Sequence, residues 1–164
     1  MTTEREVLTY EQFGVGVREL AQQVVDSGFV PDILLGIARG GLIPAGALAY
    51  AIDTKNLFTV SVEFYTGVNE RLDLPVMLPP LLDTRDLDDA TVLVVDDVAD
   101  TGRTLELVHR FCAGHVRTAR TAVLYAKPHS VIDCDYIWRR TDKWIDFSWS
   151  TEPPVTPTPA QPAT

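Results

Sequence analysis

The sequence predicts an α/β fold: a parallel sheet of about five strands with helices on both faces, and a small C-terminal hood over the strand ends. Three observations predict it. Short aliphatic runs at Ile33–Ile37, Val92–Val95 and Thr118–Leu124 read as strands buried on both faces. The first two break off at polar, glycine-bearing turns, and a segment with helical character follows at once. A chain of 164 residues, 46% hydrophobic and 23% charged, can bury one core with room for little besides its loops.

Taken in order, Thr9-Tyr10-Glu11-Gln12 reads as a capping box. Phe13, Val17, Leu20, Ala21, Val24 and Val25 then recur at helical spacing until Gly28, so a first amphipathic helix covers one face of the sheet. Pro31 leads into the strand Ile33–Ile37, the turn Ala38-Arg39-Gly40-Gly41, and a helix from about Leu42 to Ala51 with Pro44 in its first turn. Strand, glycine turn, helix is the geometry of an anion site. Gly40 and Gly41 let backbone amides approach a ligand, and Arg39 can offer a fork of donors to a diphosphate. By itself this string is equally a tight turn with a surface arginine.

Leu57–Phe64 alternates and is rich in Val and Phe, which predicts a strand. The stretch from Tyr65 to Ala90, with Pro75, Pro79 and Pro80, reads as an irregular connection long enough to be a mobile lid.

Val92–Leu105, VLVVDDVADTGRTL, organises the rest. The buried strand stops at paired carboxylates, Asp96 and Asp97, and Asp100-Thr101-Gly102-Arg103-Thr104 then offers hydroxyls and backbone N–H groups at the start of a helix. An acid pair suited to sugar hydroxyls, a third carboxylate and a phosphate seat together describe a ribose 5-phosphate. A plain strand-to-helix turn capped by Asp100 needs one acid, whereas this one carries three, with two threonines. Leu105–Cys112 continues as helix and Thr118–Leu124 as strand. Lys127 leaves that strand's C-terminal end, where α/β sheets bind ligands. The aromatic segment Asp135–Trp149 is too short for another βαβ unit and suits a hood whose rings can stack on a purine.

Composition excludes several classes. A net charge of −9 argues against nucleic-acid and anionic-membrane surfaces. No apolar run approaches the ~20 residues of a membrane span, and MTTEREVLTY lacks the features of a signal peptide, so a cytoplasmic location is expected. Cys112 and Cys134 show no metal-site spacing, and His109, His115 and His129 show no ligand pattern and read as structural or exposed. Residues 1–152 are expected to form one domain, with the hood at about 127–150. The proline-rich stretch 153–164 should be a disordered tail.

The ordered string from Val92 to Thr104 resembles the phosphoribosyl pyrophosphate (PRPP) motif of the type I phosphoribosyltransferases. ARGGLIP is similar to the pyrophosphate loop of their purine members, especially the xanthine-guanine enzymes, and TDKWIDFSW to the base-specificity segment of those enzymes. The resemblance covers residues 7 to 150. It implies transfer of 5-phosphoribose from PRPP to N9 of a 6-oxopurine, with Mg²⁺ as cofactor and a homo-oligomer, dimer or tetramer. On this basis Asp96 and Asp97 hold the ribose hydroxyls and hydrated Mg²⁺, with Asp97 ahead as metal contact, and Asp100 is the acid/base residue at N7. Thr101, Gly102, Arg103 and Thr104 seat the 5′-phosphate, and Arg39 and Gly40 the diphosphate, with a non-proline cis peptide at Ala38–Arg39. Arg71 touches PRPP, Lys127 donates to O6, Trp144 stacks on the base, and the Ile145 carbonyl reads its C2 substituent. Arg103, where glycine or lysine is frequent, and the tail depart from the pattern. A non-catalytic PRPP or nucleotide sensor, or transfer to another acceptor, stay open beside this reading.

Overall fold

The structure, a computed structural model, describes residues 4–67, 70–78 and 87–158. In chain order the elements are β1 (Arg5–Leu8), α1 (Tyr10–Asp26), β2 (Ile33–Ala38), α2 (Leu42–Ala51), β3 (Leu57–Gly67), β4 (Glu70–Leu78), β5 (Thr91–Ala99), α3 (Arg103–Ala113), β6 (Thr118–Ala126), β7 (Tyr136–Arg140) and β8 (Trp144–Phe147). Six strands form one sheet in the order β4-β3-β2-β5-β6-β7, and β1 pairs with β8 in a second, two-stranded sheet. Five strands of the large sheet are parallel to their neighbours, and β4 is an antiparallel edge.

The aliphatic runs form central strands because both of their faces are covered. Along β2 and β5, Leu34, Leu93 and Val95 point into a core shared with α1 and α2, while Ile33, Leu35, Ile37, Val92 and Val94 point into a second core with Leu105, Val108 and Cys112 of α3. A period of two has sorted one apolar run onto two faces. Both cysteines are buried in the second core or at its margin, and burial pushes each thiol up to about 11. The capping box of α1 is formed: Gln12 N–H donates to Thr9 Oγ1 and Thr9 N–H donates to Gln12 Oε1, each at 3.2 Å.

Three expectations are corrected. The connection after Tyr65 is strand, not irregular chain, over most of its described length: β3 runs to Gly67 and β4 returns antiparallel to it. Pro75 fits there because an edge strand has one side without ladder partners, where a missing N–H costs no bond. Residues 68–69 and 79–86 of the expected lid lie outside the described residues. The aromatic C-terminal segment also divides. β7 joins the large sheet beside β6, and only β8 belongs to the hood.

The hood, third, is not C-terminal alone. β1, which has no periodic signal in the sequence, pairs with β8 from Arg5↔Trp144 to Leu8↔Phe147. Leu8, fully buried, anchors it, and Arg5 Nη1 pairs with Asp146 Oδ1 at 2.8 Å. Residues 153–158 are exposed and without regular structure; 159–164 are outside the described residues. Among the described residues no helix is long and apolar enough to cross a membrane.

Candidate active site

The strand order positions the site. From β2 the chain moves outward to β3 on one side, and from β5 to β6 and β7 on the other, so the carboxyl ends of β2 and β5 flank the point where the order reverses. Open α/β sheets bind ligands in this crevice because the two loops diverge there. Residues 39–41 leave β2 and residues 96–102 run from the end of β5 toward α3.

The two loops touch. Gly40 is packed against the Asp97 carboxylate, and a Cβ on Gly41 would stand 2.6 Å from the carbonyl oxygens of Ile37 and Val95. A side chain at Gly40 would displace the Asp97 carboxylate, and one at Gly41 would displace backbone. The Ala38–Arg39 peptide is cis, and Arg39 is exposed at the mouth.

Asp96 and Asp97 are half-buried neighbours, with Asp97 N–H donating to Asp96 Oδ1 at 2.9 Å. Desolvation, and then the charge of Asp97, raise Asp96 well above the ordinary carboxylate range. Desolvation raises Asp97 too, but Asp96, backbone N–H groups and the Trp149 indole hold it lower. The pair therefore retains a proton more readily than isolated acids do, chiefly on Asp96.

Gly102 caps α3 with φ of 78°, a left-handed conformation that favours glycine. A cavity of about 380 Å³ opens over this turn, lined by Asp96 and by Val98 through Leu105, so Thr101, Gly102, Arg103 and Thr104 share one concave surface at a helix N-terminus. A second cavity of about 200 Å³ lies under the hood, lined by Val98, Asp100, Lys127, Trp144, Ile145 and neighbours up to Thr151. Both cavities include Asp100. It stands where the turn before α3 meets the hood.

Lys127 is only 8% exposed, and its ammonium donates to the carbonyl of Lys143. Trp144 is 62% exposed while Ile145 beside it is buried, as alternation along β8 requires. Trp138 and Trp149 pack on the core, so one of the three tryptophans presents its ring to the cleft mouth. Arg71 is carried on β4, and its side chain lies outside the described residues.

The structure thus gathers Arg39, Gly40, Asp96, Asp97, Asp100 to Thr104, Lys127, Trp144 and Ile145 around one crevice. It adds two residues that sequence reasoning missed. Trp149 lies beside Asp97, and His129 Nε2 is 3.0 Å from Asp100 Oδ1. His109 and His115 instead bond to the carbonyls of Ala119 and Phe111 and His129 is exposed, so all three are structural or exposed as expected; the bond from His129 to Asp100 is what the sequence did not announce. No local pattern announces these contacts. His129 reaches Asp100 because β5 and β6 are paired in the register Ala99↔Ala126, which sets the residues after each strand side by side.

The chain is similar to known proteins along most of its length. The chain is 34% identical over 149 residues to the xanthine-guanine phosphoribosyltransferase of Cereibacter sphaeroides, covering 87% of this chain and 84% of that one. It is 29% identical over 147 residues to the enzyme of the same name from Desulfotalea psychrophila, covering 88% and 86%. Among solved structures, a purine phosphoribosyltransferase from Pyrococcus horikoshii Ot3 superposes with a TM-score of 0.81 at 37% identity, covering 94% of this chain and 99% of that one. The family model described as "Phosphoribosyl transferase domain" matches residues 5–156. That span takes in every strand and helix described above, and the chain therefore belongs to the phosphoribosyltransferase family of pentosyltransferase enzymes.

Proposed function

We propose that this protein transfers the 5-phosphoribosyl group of PRPP to N9 of a 6-oxopurine, xanthine, guanine or hypoxanthine, in a Mg²⁺-dependent reaction of purine salvage that releases pyrophosphate. The observation that carries the proposal is the meeting of two cavities at Asp100, one over a phosphate-type turn and one under an aromatic hood. Two relatives, a xanthine-guanine phosphoribosyltransferase 34% identical to this chain and a purine phosphoribosyltransferase 37% identical, support a purine acceptor.

The 5′-phosphate sits on the turn from Thr101 to Thr104, where amide groups of the α3 N-terminus and the two hydroxyls donate to it and Arg103 adds charge. The diphosphate lies against Arg39 and the amides of Gly40 and Gly41, with Arg71 as a further PRPP contact. Asp96 and Asp97 take the ribose 2′- and 3′-hydroxyls. This places the C1′ carbon between the diphosphate and the base.

The donor set also fits a hard cation. The two acids at the end of β5 resist joint ionisation by themselves, and a cation beside Asp97 offsets that repulsion. Among the described residues no three His, Cys, Asp or Glu side chains converge on a metal site. One carboxylate contact, with water and substrate oxygens completing the shell, is how Mg²⁺ is usually held. When bound, Mg²⁺ neutralises charge on the departing diphosphate.

As the bond from C1′ to diphosphate breaks and the bond to N9 forms, the ribosyl centre gains positive charge, which the acid pair favours. Asp100 takes the proton from N7 of the base. Lys127 donates to O6, Trp144 stacks on the ring, and the Ile145 carbonyl reads C2. The site is built in the cytoplasmic enzyme as part of a dimer or tetramer.

The test is to incubate the protein with PRPP, Mg²⁺ and each of xanthine, guanine, hypoxanthine, adenine and uracil, with Asp100→Asn as control. Nucleotide formed from a 6-oxopurine, lost without Mg²⁺ and crippled in the variant, is the expected result. If no base reacts while PRPP still raises the Tm, the chain is a sensor or uses another acceptor.

A further inference from the structure

We propose that His129 is a positioning residue for Asp100, holding one carboxylate oxygen so that the other faces the purine. The inference rests on the acid/base reading of Asp100 given above. Its observation is the 3.0 Å contact between His129 Nε2 and Asp100 Oδ1. An ionised carboxylate only accepts, so the imidazole donates from Nε2, and among the described residues no other side chain bonds Asp100, which leaves Oδ2 for the base.

The pair is not held by burial, since the side chains are 61% and 59% exposed. Backbone holds it instead. Lys127 N–H donates to Ala99 O and Val131 N–H donates to Thr101 O, both at 2.9 Å, so the loop carrying His129 is tied on either side to the segment carrying Asp100. Beside the second tie, Ser130 and Ile132 fill the space a side chain on Gly102 would need; Ile132 Cγ2 would be 2.9 Å from a Cβ there. The imidazole is thereby presented to Asp100 by a loop that cannot move independently of the phosphate turn.

The consequence is kinetic. An exposed aspartate on a turn samples several rotamers, and a displaced acid/base group slows the chemical step more than it weakens binding. An exposed side-chain contact of this kind, by contrast, contributes little to folding. A purely structural role and a positioning role therefore predict different readouts.

The experiment compares wild type, His129→Ala and His129→Gln with PRPP, Mg²⁺ and the best 6-oxopurine. The alanine variant is expected to lose about tenfold in kcat with KM for PRPP and Tm unchanged. Glutamine, which brings an N–H donor to a similar reach, should recover most of the loss, and added imidazole should restore part of it in the alanine variant. A wild-type kcat in the alanine variant overturns the proposal, as does an equal loss in both variants without rescue. A second measurement does not depend on turnover: the ¹⁵N signals of the His129 ring should report an Nε2–H form that is lost in Asp100→Ala. Ring signals indifferent to that substitution overturn the inference. A wild type inactive on every purine but with an Asp100-dependent ring signal overturns only the functional reading.

Discussion

Gly40 lies flush against the Asp97 carboxylate, so the loop leaving β2 and the acid pair ending β5 share one surface. The contact differs in kind from that at Gly41, whose Cβ would meet backbone oxygens of Ile37 and Val95 at 2.6 Å. A side chain can rotate away; two strands cannot. Gly41→Ala should therefore cost about 1–3 kcal/mol of stability, read as a lower Tm. Gly40→Ala should leave Tm near wild type while lowering nucleotide formation from PRPP by about tenfold or more, because the acid that moves is one the proposed reaction uses.

The raised acid pair makes an electrostatic prediction. A carboxylate held above its ordinary value binds its proton more firmly in the native state than in the unfolded one, so native stability falls as pH rises above about 4, where unfolded carboxylates ionise. Asp96→Asn removes that liability. In the absence of ligand it should raise stability at pH 7 by on the order of 1 kcal/mol, with the gain vanishing below about pH 4. The same variant should lose the rise in Tm that PRPP gives the wild type. Thermal melts across pH, with and without PRPP, check both halves.

Trp144 is 62% exposed and so contributes little to the core. Base stacking on an aromatic ring is worth about 1–3 kcal/mol, so if Trp144 stacks on the base as proposed, Trp144→Ala should raise KM for the purine by roughly 10- to 100-fold. Tm should shift little, since surface changes fall within about 0.5 kcal/mol. A large drop in Tm with unchanged KM would show instead that the ring belongs to the core.

Tyr125 is fully buried, and its hydroxyl has no hydrogen-bond partner among the described residues. Burial pushes the phenol up to about 12. Its ring meets Trp138 and Phe147 edge-on at 5.6 and 5.9 Å, contacts that phenylalanine keeps. Tyr125→Phe should accordingly be neutral or stabilising by up to about 1 kcal/mol in urea unfolding, where loss of a made hydrogen bond would destabilise by a similar amount.

Much of this protein is legible because its chemistry is local. The capping box at Thr9, the apolar runs of β2, β5 and β6, and the helix from Leu42 to Ala51 are each set by neighbours within a few residues, and they form where expected. The turn from Asp100 to Thr104 ahead of α3 is legible for the same reason, since a strand-to-helix turn is set by consecutive residues; the phosphate placed on it belongs to the proposed function. Val7 and Arg5 gave no such signal, since a four-residue strand with one buried position has no period to detect.

Sequence by itself determined the strand–turn–helix units, their buried faces and the acids and glycines at their ends, because those depend on residue type and short-range spacing. Tertiary structure alone decided that β1 holds the hood, that β4 closes the sheet as an antiparallel edge, and that His129 and Trp149 reach the acids. Apart from the β3–β4 hairpin, whose paired residues are 3 to 17 apart, these contacts span from 29 to 139 residues of chain, and they follow from strand order and register, which side-chain chemistry along the chain does not encode.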